Sequence, residues 1–163
     1  MEKQTSKKAW LDYLFYKIGK QQYDFRLSSL SKNGGEPISS KWHKFSEIVF
    51  PVGPGEEWKL KYINNRDILP IEVVIDLEDA ALLGKVEQKL KEDNLQPFYV
   101  FATGSRGYHI HIFFKEELTC EEKMKIIKRY GGDEQKAYKT CIALEFAEHW
   151  KSGKIKELIY NGS

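Results

Sequence analysis

Long apolar runs, cysteine pairs and an excess of one charge are all missing from this sequence, and each absence excludes a class of protein. No stretch of about 18 consecutive apolar residues occurs, which argues against a transmembrane helix. The opening residues "MEKQTSKKAW" are charged and lack the apolar centre of a secretory signal. The two cysteines, Cys120 and Cys141, stand apart with no Cys-x-x-Cys. That excludes a four-cysteine zinc site and a disulfide framework, and makes a reducing cytoplasm the default compartment. With 26 basic and 24 acidic residues there is no global field to draw an anionic partner, so phosphate binding would need local clusters. No internal repeat or low-complexity tract is present.

What is present suits one α+β domain. The length of 163 residues and a hydrophobic fraction of 41% are enough to bury a core. Trp10, Leu11, Leu14, Phe15 and Ile18 recur at helical spacing, predicting an N-terminal amphipathic helix over 7–19. Residues 31–41 ("SKNGGEPISSK") read as a polar loop, and 47–63 as a hairpin broken at "GPGE". From residue 71 the pattern sharpens. "IEVVIDLE" is a β-branched strand, followed by a helix over "DAALLGKVEQKLKED" with Asp79 as N-cap. "PFYVFAT" and "YHIHIFF" are strands joined by a glycine turn. "TCEEKMKIIKRYGG" is a second helix with Thr119 and Glu122 in capping-box spacing. "KTCIALEF" reads as the fourth strand. The order β-α-β-β-α-β is that of a ferredoxin-like, or RRM-like, antiparallel sheet with helices on one face, preceded by an N-terminal α/β segment. Because that fold hosts many activities, the side chains must decide the function.

Three clusters carry chemistry. Asp76 and Glu78 are two apart on a strand, so their carboxylates leave one face and repel unless solvent or a cation compensates them. A divalent cation with oxygen ligands explains the pair; a strand ending at the surface with solvated acids explains it equally well. His109 and His111 share a face of the third strand, behind a turn "TGSRG" whose backbone N–H groups, hydroxyl and guanidinium suit a phosphate. A solvated hairpin connection is the plain alternative. Beyond the second helix come Asp133, Glu145, Glu148, His149 and Lys151, with "HWKSG" forming a cationic turn. Glu134 and Lys136 read as surface charges. In β-α-β-β-α-β the first and third strands are central neighbours, so the acids and histidines should face one another across adjacent strands.

Taken together these motifs resemble the archaeo-eukaryotic primase superfamily, the primase small subunit and plasmid-type primase-polymerases. The resemblance rests on "VVIDLED", on "TGSRGYH", and on Asp133 ahead of "HWKSG", over about residues 71–160. It implies a single catalytic domain over 1–163, in which an N-terminal segment, 1–65, packs on the motif-bearing core. It further implies a DNA primase or polymerase that joins nucleoside triphosphates by template-directed nucleotidyl transfer. Asp76, Glu78 and Asp133 would be catalytic ligands of two Mg²⁺ or Mn²⁺ ions, with Glu145 competing for the third place. Thr103, Ser105, Arg106, His109, His149 and Lys151 would bind the nucleotide. Thr103 stands where the family usually has serine, and the zinc-binding cysteines of many relatives are missing, so no zinc is expected. Implied partners are single-stranded DNA template and primer, nucleoside triphosphates, and a primase large subunit, helicase or other replication protein, with no membrane.

Two rival readings use the same residues. A rolling-circle or relaxase-type nuclease pairs a His-x-His metal site with a tyrosine nucleophile, for which Tyr130 or Tyr138 would serve; it leaves Asp76, Glu78 and the two turns unexplained. A non-catalytic RRM-type module would stack bases on Tyr99, Phe101 and Tyr108 and make no use of the acids.

Overall fold

Alternation governs the second half of the chain: Val73, Ile75 and Leu77 fall on one side of a strand, and Glu72, Val74 and Asp76 on the other. The computed structural model describes residues 6–33, 36–39, 41–49, 62–103 and 106–162. It divides into two compact units, one running as far as Leu69 and taking in Cys141–Lys156, the other comprising Pro70–Thr140 with Glu157 onward.

Helix α1, Lys7–Asp12, begins where the Ser6 hydroxyl accepts the Ala9 N–H, and it continues into a wider π-helical turn, Tyr13–Ile18. Trp10, Leu11 and Leu14 are buried as their spacing predicts. Next come β1 (Arg26–Ser28), β2 (Leu30–Asn33), β3 (Glu36–Ser39), β4 (His43–Lys44), α2 (Phe45–Val49) and β5 (Asn65–Asp67). Two expectations change here. The polar 31–41 stretch is mostly the β2–β3 ribbon, paired from Leu30↔Ser39 to Asn33↔Glu36; backbone pairing does not require apolar alternation. The start of the expected 47–63 hairpin is helical in α2, because buried Phe45 and Ile48 stand three apart on one helix face; residues 50–61 lie outside the described residues.

The second unit begins with β6 (Glu72–Leu77). Asp79 then accepts the Ala81 N–H and opens a 3₁₀ turn into α3 (Leu83–Glu92). Strands β7 (Phe98–Ala102) and β8 (Tyr108–Phe113) follow, then α4 (Cys120–Tyr130) with the Thr119–Glu122 capping box and a left-handed Gly131 at its end. The expected fourth strand is elsewhere. Its residues form β9 (Cys141–Ala143), which pairs with β5 in the first unit's sheet, ordered β4-β1-β5-β9. The fourth strand of the second unit is β10 (Glu157–Asn161), and that sheet is ordered β10-β7-β8-β6, antiparallel throughout.

So β6 and β8 are neighbours as expected, but β6 lies at an edge of the sheet rather than at its centre. The chain after α4 accounts for this. The Asp133 N–H donates to the Asp76 carbonyl on the free edge of β6 (3.3 Å), and the chain then enters the first unit before β10 returns beside β7. Both helices cover one face of this sheet. Val86 and Leu90 of α3 and Ile127 and Tyr130 of α4 join Val73, Ile75, Leu77, Phe98, Val100, Ile110 and Ile112 in one core. At about 1.5–3 kcal/mol for each large apolar side chain, this core fixes the register of the β6–β8 and β7–β8 pairings. The opposite face carries Glu72, Val74, Asp76, Tyr99, Phe101, His109, His111 and Phe113.

Candidate active site

Register places the first acid against the first histidine: Asp76 is the direct partner of His109, and Val74 of His111. The strand ends at Leu77, so Glu78 sits just beyond it, exposed at a bend. The turn ahead of β8 presses on this strand end. Gly107 has φ +78°, and a Cβ there would lie 1.9 Å from the Leu77 carbonyl oxygen and 2.9 Å from the Glu78 Cα, so only glycine fits. Thr103 closes the turn, its hydroxyl donating to the Arg106 carbonyl (3.1 Å) and its N–H to that of Gly107 (3.4 Å). Thr103 is buried in this role, whereas Arg106 is exposed and makes no ion pair among the described residues. Ser105 lies outside the described residues.

Two basic side chains among the described residues stand near the Asp76 carboxylate. His109 Nε2 is 3.7 Å from Oδ1 and Lys136 Nζ is 3.7 Å from Oδ2. Both distances exceed direct hydrogen bonding, so these are loose electrostatic contacts. Lys136 had read as a surface charge, yet its side chain is only 19% exposed, next to an Asp76 side chain that is 17% exposed. It arrives on a 3₁₀ turn, Glu134–Ala137, capped by the Asp133 carboxylate, which accepts the Gln135 N–H. That segment lies close against β6, since a Cβ on Gly132 would meet the Ile75 side chain at 2.9 Å. Asp133 is thus tied to Asp76 through its backbone and to its own turn through its carboxylate. Glu134 pairs at the surface with Lys128.

His111, which the sequence left without a role, is fully buried and holds Glu72 through Nδ1 at 2.6 Å. Its ring stands edge-on to His109, with centroids 6.0 Å apart, and to Phe101 at 5.6 Å. Glu72 was missed as well. The signal was its place four residues before Asp76, on the same face by the period of two. For Lys136 the signal was its place one 3₁₀ turn after Asp133.

The remaining candidates belong to the first unit. The bridge Glu148↔Ile155 closes the "HWKSG" turn. His149 Nδ1 accepts the N–H groups of Lys151 (3.1 Å) and Ser152 (3.4 Å), which keeps that nitrogen unprotonated. Burial first, then the nearby Lys151 and Lys156, lower the His149 pKa from its ordinary value. Lys151 itself is exposed. Glu145, the competitor for third acid, is fully buried. Arg66 donates to it at 2.7 and 3.1 Å, Lys156 at 3.1 Å and the Trp10 indole at 2.7 Å. A carboxylate already neutralised by two cations is poorly suited to hold a metal ion.

Of the two tyrosines offered as nucleophiles, Tyr130 is poorly placed. Tyr130 belongs to the core on the helix-covered face, opposite His109 and His111, and its hydroxyl donates to Asp93 at 2.5 Å. Burial and that bond push its pKa up to about 12, the wrong direction for a phenolate nucleophile. Tyr138 is exposed.

Among the described residues, no group of three or more His, Cys, Asp or Glu side chains converges on a metal position, and no helix is long and apolar enough to cross a membrane. No protein-family model and no curated protein matches the chain. Among solved structures, the polymerase domain of Mycobacterium tuberculosis Ligase D in complex with DNA is similar, with a TM-score of 0.57 at 11% identity over 96% of this chain and 81% of that one. At that identity the likeness establishes a shared fold, so the chain has the α+β fold of that polymerase domain.

Proposed function

We propose that this protein is a metal-dependent nucleotidyltransferase that primes or extends DNA from nucleoside triphosphates. The observation that carries the reading is the junction at the end of β6. There Asp76 stands in register with His109, and the 103–107 turn presses on the same strand end through Gly107. The shared fold with a DNA-bound polymerase domain supports it.

The donor set fits Mg²⁺ or Mn²⁺. Two carboxylates at a strand end, one half-buried and one exposed, are the oxygen donors that Mg²⁺ takes beside phosphate oxygens and water. Asp76 and Glu78 would hold the ions, with Asp133 as the third acid. Once bound, two such ions supply activation of a 3′-hydroxyl and neutralisation of the triphosphate. The chain's own residues would do the rest. Arg106, with Ser105, binds phosphate oxygens at the mouth of the turn, while Thr103 holds the turn shut. His109 stays beside Asp76 and is kept as a nucleotide-binding residue on its motif. On their sequence motif alone, His149 and Lys151 are retained as nucleotide-binding residues. Single-stranded template, primer and nucleoside triphosphates are the partners in this reading, with a primase large subunit or helicase as further company.

Labelled-nucleotide incorporation on primed single-stranded DNA, with Mg²⁺ or Mn²⁺, tests the proposal when cleavage of the same strand is followed in parallel. Incorporation without nicking is expected; nicking without incorporation would overturn it in favour of a nuclease.

A further inference from the structure

Lys136 is a charged residue near Asp76 that lies outside the primase-like motifs. Its turn is held in place independently of its side chain. Gly132 packs on Ile75, the Asp133 N–H is bonded to the Asp76 carbonyl, the Lys136 N–H donates to the Asp133 carbonyl (3.1 Å), and Ala137 is buried in the core. The ammonium is thereby delivered to 3.7 Å from Asp76 Oδ2, close enough to balance the carboxylate and too far for a tight hydrogen bond. Lysine is a compact point charge on a flexible stem, able to change partners while its backbone stays fixed.

We infer that Lys136 is a positioning residue with two partners: it balances the Asp76 carboxylate before a divalent cation arrives, and it turns to the phosphates of the incoming nucleotide afterwards. The inference rests on the nucleotidyl-transfer reading and adds to it an exchange of counter-charge. It predicts opposite effects on two bindings. Without Lys136 the carboxylate has lost a competing cation, so metal should bind more tightly; the nucleotide has lost a ligand, so it should bind less tightly.

The test uses the full chain and the variants Lys136→Gln and Lys136→Arg. Free Mn²⁺ is titrated by electron paramagnetic resonance in the absence of nucleotide, and steady-state incorporation is measured separately. Lys136→Gln should tighten Mn²⁺ binding by about tenfold, the order expected on removing one positive charge from the surroundings of a divalent ion in a solvated site. It should raise the nucleotide KM by a similar factor with a smaller change in kcat, and Lys136→Arg should restore most of both. Mn²⁺ affinity and KM unchanged in Lys136→Gln, with normal wild-type incorporation, would overturn this inference alone. A wild-type chain that neither binds Mn²⁺ nor incorporates nucleotide would sink the underlying reading, and the inference with it.

Discussion

Asp76 and Glu145 are both carboxylates flanked by two basic side chains, and they are built to opposite ends. Glu145 is fully buried and grips Arg66, Lys156 and the Trp10 indole at 2.7–3.1 Å, tying α1, β5 and the segment before β10 into one unit. Asp76 keeps partial exposure, and both His109 and Lys136 stand off at 3.7 Å. A charge removed from water must be matched by close, well-oriented partners or the fold suffers. A carboxylate at a strand end with basic side chains at longer range keeps more of its contact with water. Spacing of charges alone does not separate a tightly paired acid from a more open one; the length of the contacts and their access to water do.

The largest effect that would sharpen this contrast is loss of turnover at the loose acid. Asp76→Ala with Glu78→Ala should reduce incorporation by about a thousandfold or more, the scale of the several kcal/mol attributed to metal-held charge. Thermal melting should show a folded protein, and retained incorporation in that variant would break the assignment. The tight acid should answer in stability instead. Glu145→Ala strands Arg66 and Lys156 and should cost about 3–5 kcal/mol in urea unfolding. A variant of unchanged stability would remove Glu145 from its structural role.

His111 belongs with the tight group. His111→Ala deletes a buried ring and orphans Glu72, so a loss of about 2–4 kcal/mol is expected, with most incorporation kept per folded molecule. Complete loss of turnover at unchanged stability would instead point to a His-x-His metal site. The smallest expected effect is at His149. Its lowered pKa means the unfolded chain binds the proton more readily, so its contribution to stability is full above about pH 6.5 and fades as pH falls through the folded pKa. His149→Gln should therefore flatten a shallow decline in melting temperature between pH 7 and pH 5, and an unaltered profile would count against that environment.

The strongly periodic elements were legible. Strand β6, helix α3, helix α4 with its capping box, and the β7–β8 pair stand where alternation, Thr119 and the glycines put them, while Asp79 caps the 3₁₀ turn that leads into α3, because those signals act within a few residues. Less legible were segments whose partners are remote. β9 carries the apolar run of a sheet core but pairs with β5, some 75 residues earlier, and β10 joins β7 from beyond a whole excursion into the other unit. The polar 31–41 stretch hid a backbone-paired ribbon, and the Phe45–Ile48 spacing was obscured by the alternation around it. At the site, Asp76 and His109 were correctly expected to meet. Lys136 passed for a surface charge because nothing local says that residues 132–137 fold back on β6.

By itself, the sequence determined which side chains share a face: Glu72, Val74 and Asp76 on one strand, His109 and His111 on another. The period of two is a property of the extended backbone and needs no partner. Tertiary structure alone decided that β6 is an edge strand and that Glu145 is buried among Arg66, Lys156 and Trp10. It also decided that Lys136, not a residue of the recognised motifs, stands beside Asp76. These are facts of burial and distance, set when segments remote in the chain pack together, and no local pattern encodes them.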